Sequence, residues 1–401
     1  MSRTLFTGGS VFDGTSAPPS PGDVVVEDGL VVEVGVGLDG DVEVDCSGAT
    51  VLPGLIDCHV HVMVTDVDSL RMAYTPFSYS FFQAAQNLRR TLEAGITTVR
   101  DAGGADLGVK KAVEDGLIDG PRMQISVGPL SITGGHGDDW LPSGTHLEFF
   151  VPHPGRPSGL CDGPDEVRRT VRQMLRAGAD VIKVHTTGGV LSPTDDPRHA
   201  HFTPAELDVM VAEAAAQGAT VMAHAQGTEG IKNAVRAGIR SVEHGIYLDD
   251  EAIELMLRHG TWLVPTLSAP LAVIRAAEAG ASIPESSVLK ARGVVEVHRE
   301  SFARAVAAGV AVAMGTDAAV SPHGTNLDEL PLMAAGGMTP EQVLGATTSG
   351  AAELLGLQDQ VGRLAPGMRA DVVVVEGDAR ELDGLRGRVR QVWKDGVRAV
   401  G

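Results

Sequence analysis

Apolar runs alternate with amphipathic helical patterns from residue 54 to residue 350, and this alternation constrains the fold more than any other feature of the sequence. The runs have the length and composition of buried parallel strands, and they are residues 95–104, 179–189, 219–227, 240–245, 261–267 and 310–318. Between them lie helical patterns such as residues 164–178 and residues 203–218. Repeated strand–helix units predict an α/β protein.

The helical patterns also carry signals for where each helix begins and ends. In residues 203–218, Thr203 is a predicted N-cap, Pro204 takes the first helical position and Glu206 completes a capping box. A glycine such as Gly178 ends each helix before the next strand. Enough units fit the chain to predict a (β/α)8 TIM barrel. A doubly wound open sheet is the alternative, but no G-x-G-x-x-G follows the first strand.

Both ends of the chain have a different pattern, with short alternating runs separated by tight turns. The turns are marked by Asp-Gly pairs, which are Asp13-Gly14, Asp28-Gly29, Asp39-Gly40 and Asp395-Gly396. We therefore predict that residues 1–54 and 361–401 fold together into one small β-sandwich domain and that residues 55–360 form the barrel. The alternative is that the two ends form unrelated flaps.

Composition excludes several classes of partner. The formal net charge of -20 argues against nucleic acid and against an anionic membrane surface. No apolar run approaches the roughly 20 residues of a membrane span, and the first residues lack the pattern of a signal peptide. Three irregularly spaced cysteines indicate reduced thiols rather than a disulfide framework. We expect a cytoplasmic homo-oligomer that acts on a small molecule.

The first barrel strand ends in the sequence "VLPGLIDCHVHV", residues 51–62. Side chains two residues apart on a strand share a face, so His59 and His61 can reach one object together. Two converging neutral imidazoles suggest a metal site, although ordinary hydrogen-bonded histidines are the alternative. Cys58 points to the opposite face and is predicted to lie in the core.

Later strands end in residues of similar chemistry, which are Lys183, His224, His244 and Asp317. In a TIM barrel the carboxyl ends of the strands meet at one mouth, where functional groups lie. Each residue alone has a simpler interpretation: Asp317 as a helix cap, Lys183 as a side chain that extends from the core to solvent, and each histidine as a hydrogen-bonded polar group. Six such residues at matching positions of successive units favour one shared site.

These residues lie in motifs that resemble the amidohydrolase superfamily over essentially the whole chain: "PGLIDCHVH", "VIKVH", "AHA", "VEHG" and "GTDA", in order and spacing. Within it, the chain is similar to the branch of imidazolonepropionase-like enzymes, Xaa-Pro or Xaa-basic dipeptidases and ochratoxinase-like amidases. That narrower similarity rests on "GPLSITGGHGD" (128–138), "TTGGVLSP" (186–193) and "SPHGTN" (321–326).

The resemblance implies two divalent metal ions, expected to be Zn2+, with the six ligands His59, His61, Lys183, His224, His244 and Asp317. The first two histidines and Asp317 would hold the more buried metal, and the last two histidines the other. Lys183, carboxylated by CO2, would bridge both. A hydroxide between the metals would attack an amide carbonyl while Asp317 acts as general base and then acid. Asp317, His136 and His244 are the candidate catalytic residues.

Substrate contacts are predicted for six residues, which are His136, His185, Gln226, Tyr247, His323 and Asn326. His136 matches a family position that contacts the substrate carbonyl or carboxylate, with a solvent-exposed loop histidine as its alternative. His185 shares the face of Lys183 on the strand. A role at the site and a position without any role there are equally open for this residue. For His323 and Asn326 the equal alternative is capping the next turn. Gln226 replaces an aromatic residue found in the dipeptidases, which puts Xaa-Pro specificity in doubt.

Two further segments are expected near the mouth. Residues 191–202 would lie over it, with His199 and His201 as lid surface rather than ligands. The aromatic, proline-rich residues 145–157 would form a substrate loop or an oligomer contact.

The predicted function is hydrolysis of an amide bond in a dipeptide or an N-acyl amino acid. The alternatives are a cyclic, xenobiotic or secondary-metabolite amide as substrate, and a non-catalytic scaffold that would be expected to have lost ligands.

Overall fold

The computed structural model describes residues 2–401 and has an α/β architecture. Its strands form one sheet near the chain ends and two parallel sheets between them. No helix within residues 2–401 combines the length and the apolar character that crossing a membrane requires.

Strands from both ends of the chain share one eight-stranded sheet. They are β1 (Thr4–Val11), β2 (Ser20–Glu27), β3 (Leu30–Gly35), β4 (Val42–Asp45), β5 (Ala49–Pro53), β14 (Val372–Glu376), β15 (Val389–Lys394) and β16 (Val397–Val400). The two ends meet where β5 pairs in parallel with β1 and antiparallel with β14. The strands are hydrogen-bonded in one path, with β4 beside β1. The division into domains at residues 54 and 361 stays a prediction.

Two of the four predicted Asp-Gly turns join strands directly. Asp28 and Gly29 have φ values of 53° and 77° between β2 and β3, and Asp395 and Gly396 have 52° and 74° between β15 and β16. Positive φ at both central residues is the geometry of a type I′ hairpin, which the Asp-Gly pair favours. The pairs at residues 13–14 and 39–40 lie in longer loops.

The remaining strands form two parallel sheets in consecutive order. One sheet contains β6 (Leu55–Val60), β7 (Ile96–Asp101) and β8 (Arg122–Ile125), and the other contains β9 (Pro129–Leu130), β10 (Val181–His185), β11 (Thr220–Ala225), β12 (Ser241–His244) and β13 (Trp262–Val264). A doubly wound sheet would reverse its strand order, and neither parallel sheet within residues 2–401 does so.

The predicted strand at residues 310–318 is wrong as a regular element. This segment contacts the parallel strands through isolated bridges, Val312 to Leu263 of β13 and Ala318 to Val60 of β6, and Ala318 also bridges to Ser321. Asp317 and Ala319 have φ values of 57° and 136°, which no regular strand allows. The segment still lies between the first and last strands of the parallel series.

The sequence pattern also missed β8 and β9. They are short because Val127, between them, has a φ of 68° that breaks the extended chain.

Helices connect the strands in twelve segments. They are α1 (Ser69–Tyr74), α2 (Tyr79–Glu93), α3 (Leu107–Glu114), α4 (Gly163–Arg176), α5 (Pro204–Ala215), α6 (Thr228–Arg236), α7 (Asp250–His259), α8 (Ser268–Glu278), α9 (Glu285–Ala308), α10 (Glu329–Ala335), α11 (Pro340–Ala346) and α12 (Ser349–Leu355). α4 and α5 confirm the two predicted helices to within three residues at each end. The predicted capping box is present, since Glu206 accepts from the backbone N–H of Thr203 at 2.6 Å.

The core lies between the strands and the helices that cover them. Cys58 is fully buried and packs in a cluster with Ile56, Trp262, Val264 and Ala313, so its predicted core position is confirmed. All three cysteines are buried and free. The other face of β6 carries His59, which is only 1% exposed and points toward the site.

Candidate metal centre

The two histidines of β6 are held by their Nδ1 atoms. Nδ1 of His59 lies 2.8 Å from Oε2 of Glu243, and Nδ1 of His61 lies 2.9 Å from the carbonyl oxygen of Gly103. Since each partner is an acceptor, both Nδ1 atoms donate, and both Nε2 atoms face the cluster. Burial lowers the pKa of His59 well below its usual value. Burial alone would also lower the pKa of His61, but the hydrogen bond to Asp317 and the charge of Asp317 raise it, so a metal at Nε2 of His61 would displace a proton.

Asp317 faces both of these Nε2 atoms. Its Oδ1 lies 3.4 Å from Nε2 of His59 and 3.2 Å from Nε2 of His61. Burial alone would raise the pKa of Asp317, but the hydrogen bond from His61 and the charges of both histidines hold it below its usual range. Donor atoms of His59, His244 and Asp317 lie within 4.8 Å of one another, close enough to share one ion.

The histidines of β11 and β12 present opposite ring nitrogens. Nε2 of His224 donates to the carbonyl oxygen of Gly188 at 3.0 Å, which leaves Nδ1 free. Nδ1 of His244 lies 2.7 Å from Oγ1 of Thr266, which leaves Nε2 free. The two ring centroids are 4.6 Å apart. Burial lowers the pKa of both groups well below the usual value, so both rings are neutral.

Lys183 of β10 lies among these rings. Its side chain is 2% exposed, and Nζ lies 3.4 Å from Nε2 of His59. Burial lowers the pKa of Lys183 to about 8, so about a tenth of the amine is unprotonated at pH 7. We call Lys183, the four histidines and Asp317 the histidine cluster, and the structure brings all six predicted ligands together in it.

Behind this cluster lies a buried ion pair that the sequence analysis missed. Glu243 accepts from Nη2 of Arg100 at 2.9 Å through Oε1, while its Oε2 holds His59. Arg100 also donates to the carbonyl oxygen of Cys58 at 2.7 Å. Both charged side chains are at most 2% exposed, so the pair fixes the ring of His59 from inside the fold. A charged residue within an otherwise apolar strand, as in "SVEH" and "TTVRD", is the signal that marks them.

Three predicted substrate contacts lie outside the cavity. Nδ2 of Asn326 donates to Oδ2 of Asp57 at 2.7 Å, and its Oδ1 accepts from Gly324 N–H at 3.1 Å. Nε2 of His323 bonds to the carbonyl oxygen of Val64 at 2.8 Å, and Tyr247 packs against a neighbouring apolar cluster. None of these three residues lines the cavity, so the structure does not bring them to the site, and their contacts with a substrate stay predictions.

A cavity of about 310 Å³ opens beside the histidine cluster, within the size range of small-molecule sites. His136, His185 and Gln226 line it, where the sequence placed them. Oε1 of Gln226 and Nδ1 of His185 are buried without a hydrogen-bond partner. Buried polar atoms are normally paired, so these two are available to a ligand.

Most of the remaining cavity surface is apolar, and we call it the apolar wall. Its larger members are Val64, Val67, Trp140, Leu141, Leu147, Phe149, Phe150, Val190, Leu191, Ile246, Val273 and Ile283. Three of them come from residues 145–157, which supports the substrate-loop interpretation of that segment. The ring of Phe150 lies 5.5 Å from the ring of His61.

Of the two histidines predicted to lie on the surface of residues 191–202, one is exposed and the other is buried. His199 is exposed. His201 is 6% exposed, so its expected place on the lid surface is wrong. The cause is a backbone bridge between Thr187 and Ala200, together with a hydrogen bond from His201 N–H to the Thr186 carbonyl at 2.8 Å.

Comparisons with known proteins agree with this geometry. The amidohydrolase family matches residues 50–399. Ochratoxinase of Aspergillus niger is 35% identical over 419 residues, spanning 98% of this chain and 86% of that protein. The crystal structure of a Xaa-Pro dipeptidase with bound methionine in the active site superposes with a TM-score of 0.90 at 33% identity, covering 100% of both chains. A prolidase complexed with N-methylphosphonate-L-proline gives 0.90 at 35% identity, covering 99% of each.

The strand-end histidines, the buried lysine and aspartate, and a family match over most of the sequence thus converge on one conclusion. The chain belongs to the amidohydrolase family and is a hydrolase that acts on carbon–nitrogen bonds.

Proposed function

We propose that this hydrolase uses two divalent metal ions to cleave the amide bond of a dipeptide or an N-acyl amino acid. The observation that supports this most strongly is the histidine cluster, in which six potential ligands converge beside a cavity of about 310 Å³. The proposal includes a (β/α)8 barrel, closed by residues 310–318 between β13 and β6. The homo-oligomeric state and cytoplasmic location stay predictions.

The donor set fits the proposed metals. Three of the histidines offer Nε2 and His224 offers Nδ1, while Asp317 adds a carboxylate. Neutral imidazoles and a carboxylate are the donors that Zn2+ prefers among hard and borderline ligands. Bound ions of this kind would lower the pKa of a coordinated water and polarise a carbonyl oxygen.

Lys183 is the proposed bridging ligand after reaction with CO2. An ammonium has no lone pair and would repel a cation, whereas a carbamate offers anionic oxygens. In that reaction the amine nitrogen bonds to the carbon of CO2 and releases one proton. Lys183→Ala should reduce the metal content, measured by mass spectrometry, from about two ions per chain to about one or fewer. Lys110→Ala, which removes a remote pair with Asp180, is the control; full occupancy in Lys183→Ala would contradict the carbamate.

The protein's own groups then handle protons and orientation. Asp317 is placed to accept the proton of the attacking water at Oδ1 and to deliver it to the nitrogen of the leaving amine. His136 lies at the cavity beside His224 and is the candidate contact for the substrate carbonyl or carboxylate. The products are a carboxylic acid and an amine.

One observation favours the alternative substrate, an amide without a free carboxylate. Within residues 2–401, no arginine lines the cavity, and Lys183 is its single lysine. A substrate carboxylate would therefore rely on the metals or on histidines, while the apolar wall suits a bulky uncharged group.

A substrate panel separates the two possibilities. Zinc-loaded protein is assayed with dipeptides, N-acyl amino acids, aryl amides and cyclic amides, and the released amine is quantified. We expect hydrolysis of compounds that combine a free C-terminal carboxylate with a large apolar group. Cleavage confined to carboxylate-free or cyclic amides would favour the alternative. No cleavage of any amide by protein loaded with zinc, manganese or cobalt would contradict the proposal.

A further inference from the structure

Lys290 of helix α9 reaches the segment that forms one side of the cavity, although Lys290 itself does not line it. Its Nζ donates to the carbonyl oxygens of Gly189 at 2.7 Å and Asp195 at 3.1 Å, and also to that of Ser192. The same helix contributes Ser287, whose hydroxyl donates to the Leu191 carbonyl at 2.8 Å. One helix therefore holds the backbone of residues 189–195 at four carbonyls.

The carboxylate of Asp195 links this anchor to the cavity. Its side chain is 3% exposed, and Oδ1 lies 3.3 Å from Nζ of Lys290. Its Oδ2 accepts from Gly189 N–H at 3.1 Å and lies 3.1 Å from Nδ1 of His136. Burial alone would raise the pKa of Asp195, but His136 and Lys290 hold it below the usual value. The group is therefore a buried carboxylate with three partners.

His136 has its ring position fixed by these neighbours. The ring stacks on that of His224 with centroids 4.4 Å apart and an interplanar angle of 24°. On another side it lies against Gly189, where a Cβ would overlap the imidazole. Because Nδ1 donates to Asp195, Nε2 is the ring nitrogen left for another partner. The orientation of His136 and its tautomer thus both depend on the carboxylate of Asp195, which is itself held by Lys290 of α9.

We propose that Lys290 and Asp195 are positioning residues that set His136 and the cavity segment 189–195 for substrate binding. Lys290 fixes the backbone of the segment, Asp195 transmits that position to His136, and neither touches the substrate. The consequence for substrate binding rests on the proposed amide hydrolysis, whereas the anchoring itself does not.

The first test is kinetic and uses a double-mutant cycle. Asp195→Asn keeps the shape but removes the charge, and we expect kcat/KM to fall about 10- to 100-fold, mostly through KM, with unchanged metal content. In a His136→Ala background the same change should cost less than about threefold, because its effect passes through His136. Equal losses in both backgrounds, or a loss confined to metal content, would overturn the proposal.

The second test does not depend on activity. Hydrogen exchange is followed in the zinc-loaded protein for residues 188–196 and for the remote helix α4 as an internal reference. Lys290→Met should accelerate exchange of the segment at least about tenfold and leave α4 unchanged, and Lys290→Arg should retain part of the protection. Lys110→Met is the matched control because it removes a lysine whose partner is Asp180, away from the segment.

The outcomes are distinguishable from failure of the proposed function. If no amide is cleaved, the kinetic test is void but accelerated exchange in Lys290→Met still supports the anchor. Unchanged exchange of residues 188–196 in Lys290→Met would overturn the anchor even if hydrolysis is found. Accelerated exchange throughout α4 as well would mean that Lys290→Met unfolds the protein generally. Lys290→Arg then decides: if α4 is protected in this variant and residues 188–196 are not, the proposal is contradicted.

Discussion

The histidine cluster and the apolar wall border the same cavity but are built in different ways. The histidines lie at strand ends, and hydrogen bonds hold each ring from behind, as Glu243 holds His59. The apolar wall comes largely from connecting segments, including residues 137–150 and 190–194. The strands therefore position the residues that carry out the reaction. The residues that select the substrate lie in connecting segments, whose sequence can change without disturbing the strands.

The largest effect is expected at the cluster from Asp317→Asn. The amide keeps the size of the side chain and one oxygen donor but cannot accept the proton of the attacking water. We expect kcat to fall by about 10²- to 10⁴-fold while metal content is largely retained. Steady-state kinetics and metal analysis on the same preparation measure both quantities. A near-normal rate would remove Asp317 from its proposed role in proton transfer.

Glu243→Gln tests whether the support behind the cluster matters as much as the ligands. The change removes the charge that faces both Arg100 and His59, so we expect about 10- to 100-fold weaker metal binding or activity. Chelator competition measures the affinity. Asp371→Asn is the matched control, since this buried carboxylate also pairs with an arginine, Arg122 at 2.8 Å, and neither residue lines the cavity. Equal metal affinity in both variants would contradict the assignment.

Phe150→Ala tests the apolar wall. The ring lies 5.5 Å from that of His61 and borders the cavity, so its loss should raise KM roughly tenfold for a bulky substrate and leave kcat nearly unchanged. Phe82→Ala serves as the control, because Phe82 is 71% exposed on α2 and does not line the cavity. A fall in kcat without a change in KM would assign Phe150 to the cluster instead.

The smallest effect concerns the pH dependence of the connecting segments. Burial raises the pKa of Asp139 to about 7, and the charges of Glu148 and Asp138 act in the same direction. When residues 139–149 are folded over the carboxyl group, Asp139 binds a proton up to a pH of about 7. When the segment opens to water, the pKa of Asp139 returns to about 3.8 and the proton is released. Protection of residues 139–149 should therefore fall by about tenfold as the pH rises from 5 to 6. Hydrogen exchange corrected for its intrinsic pH dependence measures this, and Asp139→Asn should remove it.

The same contrast explains how much could be predicted from the sequence. All six members of the histidine cluster were identified because strand periodicity and strand-end position determine where such side chains point. For His323 and Asn326 a substrate contact and a capping role could not be separated, because both residues follow a turn, where spacing along the chain carries no information on side-chain direction. The structure places neither residue in the cavity lining. Asp317 was identified as a ligand, but the prediction of a regular strand at residues 310–318 was wrong. An apolar run in the sequence does not show that Asp317 has a φ of 57°.

Supporting residues were missed for a different reason. Glu243, Arg100, Asp195 and Lys290 act through contacts between residues that are far apart in the chain, as with the 2.9 Å pair of Arg100 and Glu243. Single charged residues inside apolar or loop sequences are common, and only the tertiary contact distinguishes a support from a surface charge.

The pairing of β5 with β14 has a consequence for biosynthesis. β5 is synthesised about 300 residues before β14, its partner along five residue pairs. At translation rates of about 5–20 residues per second, β5 waits roughly 15–60 s with one edge unpaired. An unpaired apolar edge is a template for intermolecular association, so the nascent chain is most exposed to aggregation after its catalytic strands have emerged and before its last thirty or so residues are made. Shortening that interval with faster downstream codons should raise the soluble yield without altering the finished protein.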